Sequence, residues 1–235
     1  LRQAKTEGLP VLSIEYFDGH ALNFMQHPTV RGNYAAAIYT EIAGSMDDAE
    51  ALLVALEENN VAQDWFAEDA AERQEQKDFR HSLPDGVNAY LRRQGSHKLG
   101  TDFAVPAEQF PKLLALSMEA ADAFRAQFPH EGEHTATWGH LGNYHLHFNF
   151  LARNAEELTV AQRLYAGLAQ QAAALGGTIS AEHGLGKKTA EVNGRNVPYL
   201  QIMYGEDGLR QIAAVKQVLD PNWILNPGNM IPGPM

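Results

Sequence analysis

The chain has 235 residues, enough to bury a full core as one large domain or two closely packed halves. Hydrophobic residues make up 45% and charged residues 20%, and the formal net charge of -11 argues against a nucleic-acid backbone or an anionic membrane as the main partner. With no cysteine, the chain excludes internal disulfides, Cys-ligated zinc and iron–sulfur clusters, and no apolar run reaches the ~18–20 residues that span a bilayer.

The chain starts at Leu1 with what reads as the end of a helix, and no charged-then-apolar leader opens it, so a fragment of a longer protein is expected. Val11-Leu-Ser-Ile-Glu-Tyr16 alternates as a strand does, and a short helix through Leu22 to Met25 follows. Ala35 to Ile42 reads as a second strand. Asp47 is placed to cap a helix in which Ala49, Leu52, Leu53 and Leu56 recur at helical spacing, ending near Asn59-Asn60. Val61 to Phe66 reads as a third strand, which makes this stretch a split βαβ, ferredoxin-like unit.

Glu68 to Arg93 reads as a helix interrupted near Pro84. Phe103-Ala-Val-Pro106 is extended, because the approach to a proline favours β geometry. Glu108 to Phe128 is a long amphipathic helix, and Thr135–Trp138 and Tyr144–Leu151 form an antiparallel pair. Asn154 to Leu175 and Gly205 to Leu219 are further helices, with a polar, mobile segment expected between Gly186 and Pro198. The order of elements repeats in the two halves without sequence repetition. The expected fold is α+β: two ferredoxin-like halves, an antiparallel sheet covered by helices.

Two stretches carry chemistry. In Gly139-His-Leu-Gly-Asn-Tyr-His-Leu-His-Phe-Asn-Phe150, strand alternation puts His145, His147 and Asn149 on one face as a polar wall, opposite Tyr144, Leu146, Phe148 and Phe150. His140 lies across the turn-like Leu141-Gly142-Asn143, where glycine lets the chain bend. A single histidine is most often an ordinary member of a hairpin; three in eight residues on such a strand favour a site. In Gly176-Gly-Thr-Ile-Ser-Ala-Glu-His-Gly-Leu-Gly186, the first two glycines suit a helix C-terminus, while Gly184 and Gly186 allow close backbone approach to a ligand. Glu182 with His140 and His147 makes a His₂-carboxylate set with open positions, suited to Zn²⁺, Mn²⁺ or Fe²⁺, and His183 is free to act as a base near neutral pH.

Gly139-His-Leu-Gly…Leu-His147, the loop Gly176–Gly186 and Leu219-Asp-Pro-Asn-Trp-Ile-Leu-Asn-Pro-Gly228 occur in this order. Together they resemble the C-terminal domain of the FAD-linked oxidases of vanillyl-alcohol-oxidase type. The similar branch contains D-lactate dehydrogenases, the glycolate oxidase flavin subunit and D-2-hydroxyglutarate dehydrogenase. Thr101-Asp-Phe-Ala-Val-Pro106 and Phe79-Arg-His-Ser-Leu-Pro84 resemble that branch as well.

The resemblance implies that residues 1–235 are the substrate-binding cap domain of an FAD-dependent dehydrogenase that oxidises a D-2-hydroxy acid, D-lactate-like, by hydride transfer to flavin. On that basis His140, His147 and Glu182 hold the divalent metal, His183 is the catalytic base, Arg80 clamps the substrate carboxylate and Asn226 approaches the flavin. FAD would be held mostly by an N-terminal domain absent from this chain, so the fragment alone is expected to be inactive. The electron acceptor is open. The expected location is the cytoplasm or the periphery of the inner membrane, with homo-oligomer formation compatible.

The chain departs from the family pattern at Gly142-Asn-Tyr-His145, where Gly-Asp-Gly-Asn is usual, which makes His145 an extra or alternative ligand. Gly100 stands where some relatives carry lysine, which disfavours a dicarboxylate substrate. The alternatives are an independent metal-dependent hydrolase using the same His₂-Glu set, or a non-catalytic assembly domain of a flavoenzyme complex.

Overall fold

The computed structural model describes residues 10–25, 27, 30, 34–57, 61–192, 194–231 and 233. In chain order these form β1 (Val11–Asp18), α1 (Gly19–Leu22), β2 (Ala36–Ile42), α2 (Met46–Glu57), α3 (Ala70–Gln94), β3 (His97–Gly100), β4 (Phe103–Ala104) and α4 (Phe110–Gln127). Then come β5 (Thr135–His140), β6 (His145–Ala152), α5 (Ala155–Ala174), β7 (Thr189–Val192), β8 (Arg195–Pro198) and α6 (Tyr199–Leu219). Antiparallel strands covered by helices make the expected α+β class. The elements fall into two units that interleave along the chain: Leu1–Ser96 with Thr135–Asn143, and His97–His134 with Tyr144–Met235.

In the first unit, β1 lies between β2 and β5 and is antiparallel to both, with Glu15 in register with Tyr39 on one side and His140 on the other. Asp18 closes β1 and starts α1 at once, because its carboxylate accepts from Ala21 N at 2.7 Å. Its other oxygen takes Thr137 N of β5 at 2.9 Å. The short helix therefore falls at Gly19–Leu22, not at Leu22–Met25.

The cap of α2 is Ser45, not Asp47: the Ser45 hydroxyl faces Asp48 N at 3.3 Å while the Asp48 carboxylate reaches back to Ser45 N at 2.8 Å, a reciprocal capping box. The expected helix end at Asn59-Asn60 lies outside the described residues. Val61–Phe66 does not form a strand. Trp65 stacks on His27 with ring centroids 4.5 Å apart, and its carbonyl accepts from Gln76 Nε2 at 2.6 Å, so a side chain of α3 satisfies the backbone that a strand partner would have taken. α3 runs through Pro84 without interruption. Pro84 sits on the exposed face, where water can reach the carbonyl its ring leaves unbonded, while Leu83 and Val87 are buried on the other.

In the second unit, β6 is antiparallel to β3 and to β4, with Phe150 opposite Leu99 and Leu146 opposite Phe103. Phe124 of α4 meets Phe150 edge-on at 5.2 Å, and Phe103 meets Tyr165 of α5 at 5.4 Å. Each such ring contributes roughly 2–3 kcal/mol by burial. Asn154 caps α5 by accepting from Glu157 N at 2.9 Å. The segment expected to be mobile is in part a hairpin, β7 with β8, turning at Gly194 with φ 74°. α6 begins before Gly205, which is the site of a kink (φ 67°, ψ -176°) and not of a start. Among the described residues no helix is long and apolar enough to cross a membrane.

Candidate metal and acid/base site

The local chemistry begins where β3 gives way to β4. Thr101 breaks the ladder against β6 with its side chain: Phe148 N donates to Thr101 Oγ1 at 2.9 Å, and Thr101 N donates to Phe148 O at 2.8 Å. The Thr101 carbonyl is thereby turned to His147, whose Nδ1 lies 3.3 Å away. A carbonyl only accepts, so this contact needs the His147 proton on Nδ1. The polar face of β6 is not a solvent-facing wall. His145, His147 and Asn149 are 4%, 6% and 2% exposed, and the strand is buried on both faces.

Asp102 is the organiser that sequence reasoning passed over as a site residue. Its backbone carbonyl accepts from Ala181 N at 2.9 Å. Its carboxylate accepts from His183 N at 2.8 Å, Glu182 N at 3.1 Å, the Ser180 hydroxyl at 3.2 Å and His145 Nε2 at 2.8 Å. Burial works against the charge, but the backbone N–H groups of His183 and Glu182 and the neighbouring imidazoles outweigh it and hold the Asp102 carboxyl below its usual value. His145, considered from sequence as an extra ligand, has its Nε2 engaged by this carboxylate. The motif Thr101-Asp-Phe-Ala-Val-Pro106 was the available signal.

The loop that Asp102 gathers leaves α5 through Gly176 (φ 75°), with Gly176 N bonded to Ala173 O at 2.9 Å and Gly177 N to Ala172 O at 3.0 Å. Thr178 then pairs with Ala104 through two backbone bonds of 2.8 and 3.1 Å. Gly184 and Gly186 are left-handed, with φ 74° and 61°, and a Cβ there would meet nothing closer than 3.9 Å. Both positions require the left-handed backbone that glycine adopts without strain.

The loop sets Glu182 Oε1 3.1 Å from His147 Nε2 and 3.2 Å from His183 Nε2. The His147 and His183 rings stack at 5.0 Å, and His183 Nδ1 faces Asp102 Oδ1 at 3.8 Å, an electrostatic contact beyond hydrogen-bond length. Burial, followed by the charge of His145, pushes His147 down to about 4. At neutral pH the ring is therefore uncharged and has one proton for two acceptors; with that proton on Nδ1, its Nε2 lone pair meets the Glu182 carboxylate. Such a contact becomes favourable when a cation lies between the two atoms. Asp102, His147, Glu182 and His183 each offer a ligand atom within 4.8 Å of the others, a donor set of imidazole and carboxylate that fits a borderline divalent metal. With Asp102 Oδ1 committed to His145 and Oδ2 to the loop, His147 and Glu182 are the better donors.

His140 and Arg80 belong to the first unit, where both reach Glu15: His140 Nδ1 at 2.8 Å and Arg80 Nη1 at 3.2 Å. Asn226 is exposed and left-handed (φ 45°), in a turn organised by Asp220, which accepts from Ile224 N and Leu225 N at 3.0 Å each. Its primary amide offers a donor and an acceptor. Tyr144, where the family pattern has glycine, keeps a left-handed backbone (φ 54°) at a cost of about 1 kcal/mol. Its ring packs on Phe110 at 5.9 Å. A Cβ on Gly100 would sit 2.4 Å from buried Asn149 Oδ1, so a longer side chain there must displace Asn149.

A family model described as FAD linked oxidases, C-terminal domain, matches residues 1–230. The glycolate oxidase subunit GlcD of Bacillus subtilis is 36% identical over 96 residues, 40% of this chain and 19% of that protein. The mitochondrial D-lactate dehydrogenase (cytochrome) of Arabidopsis thaliana is 29% identical over 146 residues, 61% of this chain and 23% of that protein. The D-2-hydroxyglutarate dehydrogenase of Xanthomonas citri pv. viticola is 26% identical over 230 residues, 93% of this chain and 45% of that protein. The chain spans less than half the length of these relatives.

Proposed function

Because the chain belongs to the C-terminal domain family of FAD-linked oxidases, we propose that it forms the substrate and metal side of an FAD-dependent dehydrogenase acting on a D-2-hydroxy acid. The observation that carries the metal reading is the gathering of Asp102, His147, Glu182 and His183 ligand atoms within 4.8 Å of one another, with His147 Nε2 3.1 Å from Glu182 Oε1. When bound, a divalent ion supplies Lewis acidity towards the α-hydroxyl and FAD accepts the hydride.

His147 and Glu182 hold the ion, and the resemblance adds His140 as a third ligand on its motif alone. His183 is the base. Its Nδ1 faces Asp102, so Nε2 is the atom that takes the hydroxyl proton, and its side chain, 63% exposed, is open to a substrate. Arg80 binds the substrate carboxylate, for which a planar guanidinium is suited. Asn226 presents its amide to the flavin. Gly100 stands where some relatives carry a lysine, and the loss of that anion-binding contact favours a monocarboxylate such as D-lactate over a dicarboxylate.

The test is turnover of D-lactate by the intact protein with an artificial electron acceptor. His183→Ala is expected to lower kcat at least ~100-fold while FAD and metal content stay unchanged. Turnover unchanged in that variant rules out His183 as the base, and unsubstituted protein free of divalent metal after growth with Zn²⁺, Mn²⁺ and Fe²⁺ rules out the metal site.

A further inference from the structure

Glu15 is a carboxylate in the middle of a strand, 8% exposed, with Ile14 and Phe17 buried beside it. Burying an ionised carboxylate is costly unless charge-assisted partners satisfy it. Both oxygens are satisfied, each by a different element. Oε1 receives Arg80 Nη1 of α3 at 3.2 Å, and Oε2 receives His140 Nδ1 of β5 at 2.8 Å. The antiparallel register that puts Glu15 opposite His140 supplies the second contact. The first is steadied by Tyr39, also opposite Glu15, whose ring lies 5.3 Å beneath the Arg80 guanidinium.

An ionised carboxylate only accepts, so the 2.8 Å contact requires His140 to carry its proton on Nδ1. In the neutral ring the lone pair then resides on Nε2. Arg80 Nη2 meets His81 Nε2 at 3.1 Å, and the guanidinium keeps further N–H donors beyond those facing Glu15 and His81, in a fork whose plane Glu15 and Tyr39 restrain. We propose that Glu15 is a positioning residue that selects the Nδ1–H tautomer of His140, presenting Nε2 to a divalent cation, and at the same time orients Arg80 for a substrate carboxylate. Metal affinity and carboxylate recognition then depend on one buried side chain. This rests on the reading of His140 as a ligand and Arg80 as a clamp given above.

The experiment uses the intact protein and Glu15→Gln, which preserves shape but cannot accept from both donors. Zn²⁺ alone is titrated calorimetrically into metal-depleted protein, and the His140 tautomer is read from its imidazole ¹⁵N shifts in the same sample. Glu15→Gln is expected to weaken Zn²⁺ binding ~10–100-fold, the range for loss of a carboxylate behind a ligating histidine, and to move His140 towards Nε2–H. The KM for D-lactate is expected to rise more than kcat falls. Glu15→Asp, which keeps the charge at shorter reach, is expected to lie between the two and serves if Glu15→Gln does not fold. Unsubstituted protein that binds Zn²⁺ no better than Glu15→Gln overturns this role and leaves the His147–Glu182 pair standing. Unsubstituted protein that binds no Zn²⁺ overturns the metal reading instead; the orienting role then fails if the His140 tautomer is the same in both proteins.

Discussion

Asp102 Oδ1 and His145 Nε2 meet at 2.8 Å with both side chains under a tenth exposed, and the other Asp102 oxygen receives the backbone of Glu182 and His183. One carboxylate thus ties strand β6 to the loop that carries the proposed ligand and base. Asp102→Ala strands a buried imidazole and two backbone donors, a loss of about 3 kcal/mol. It should lower the urea midpoint and expose the loop to protease, and an unchanged midpoint is incompatible with this role. The Asp102 carboxyl is held below its ordinary value. Its contribution is therefore complete above the unfolded value of about 3.9 and is lost as pH falls through the folded one.

His147 titrates near 4 in the fold, against about 6.5 in an unfolded chain. Between those values the unfolded state binds a proton that the folded state refuses. The stability of metal-depleted protein should therefore rise with pH across that interval by up to about 1.4 kcal/mol per unit, and level off above it. His147→Gln should flatten the slope. Urea unfolding over the interval checks this, and a slope equal in both proteins removes His147 as its source.

Glu182→Gln separates metal binding from folding. The amide can donate to His147 Nε2 while the ring's own proton serves Thr101 O, so both contacts are satisfied at once. Metal-depleted Glu182→Gln is expected to be more stable than the unsubstituted protein by roughly 0.5–1 kcal/mol, since Glu182 is half-exposed. Its divalent metal content after purification should fall to background. Melting curves with and without chelator, together with metal analysis, test both halves; retention of metal in this variant contradicts the ligand assignment.

Gly177 lies where the loop leaves α5. A Cβ there would come 2.4 Å from Ala104 O, 2.6 Å from Val105 Cγ1 and 2.9 Å from Ala172 O, and two of these are backbone atoms that cannot swing aside. Gly177→Ala should destabilise the protein by about 1–3 kcal/mol and open the Thr178–Ala104 bridge. Amide exchange at Thr178 reports the second effect. A substitution that leaves both the melting temperature and that exchange unchanged shows that the contact is not tight in solution.

Much of the fold could be read locally. Asn154 ahead of Glu157 and Gly176 after Leu175 mark the ends of α5, and the alternation of Val11 to Tyr16 marks β1, because caps and periodicity are properties of a few neighbouring residues. The misreadings arose where a distant partner intervened. Val61–Phe66 has the composition of a strand, yet Gln76 takes the Trp65 carbonyl. Pro84 has the chemistry of a breaker, yet the helix runs through it on its exposed face.

The same division holds at the site. The sequence by itself determined the family, the Glu182-His183 pair within its glycine loop and the histidines of β5 and β6, since these are ordered motifs of adjacent residues. Only the tertiary structure decided that Asp102 binds the backbone of a residue 81 positions away, and that Glu15 joins Arg80 to a histidine 125 positions on. The motif around Asp102 can mark the residue, but neither contact can be read from residues adjacent in the chain. Each depends on strand register, which shared burial of many side chains sets together, and a carboxylate shows its role only once the fold has brought its donors to it.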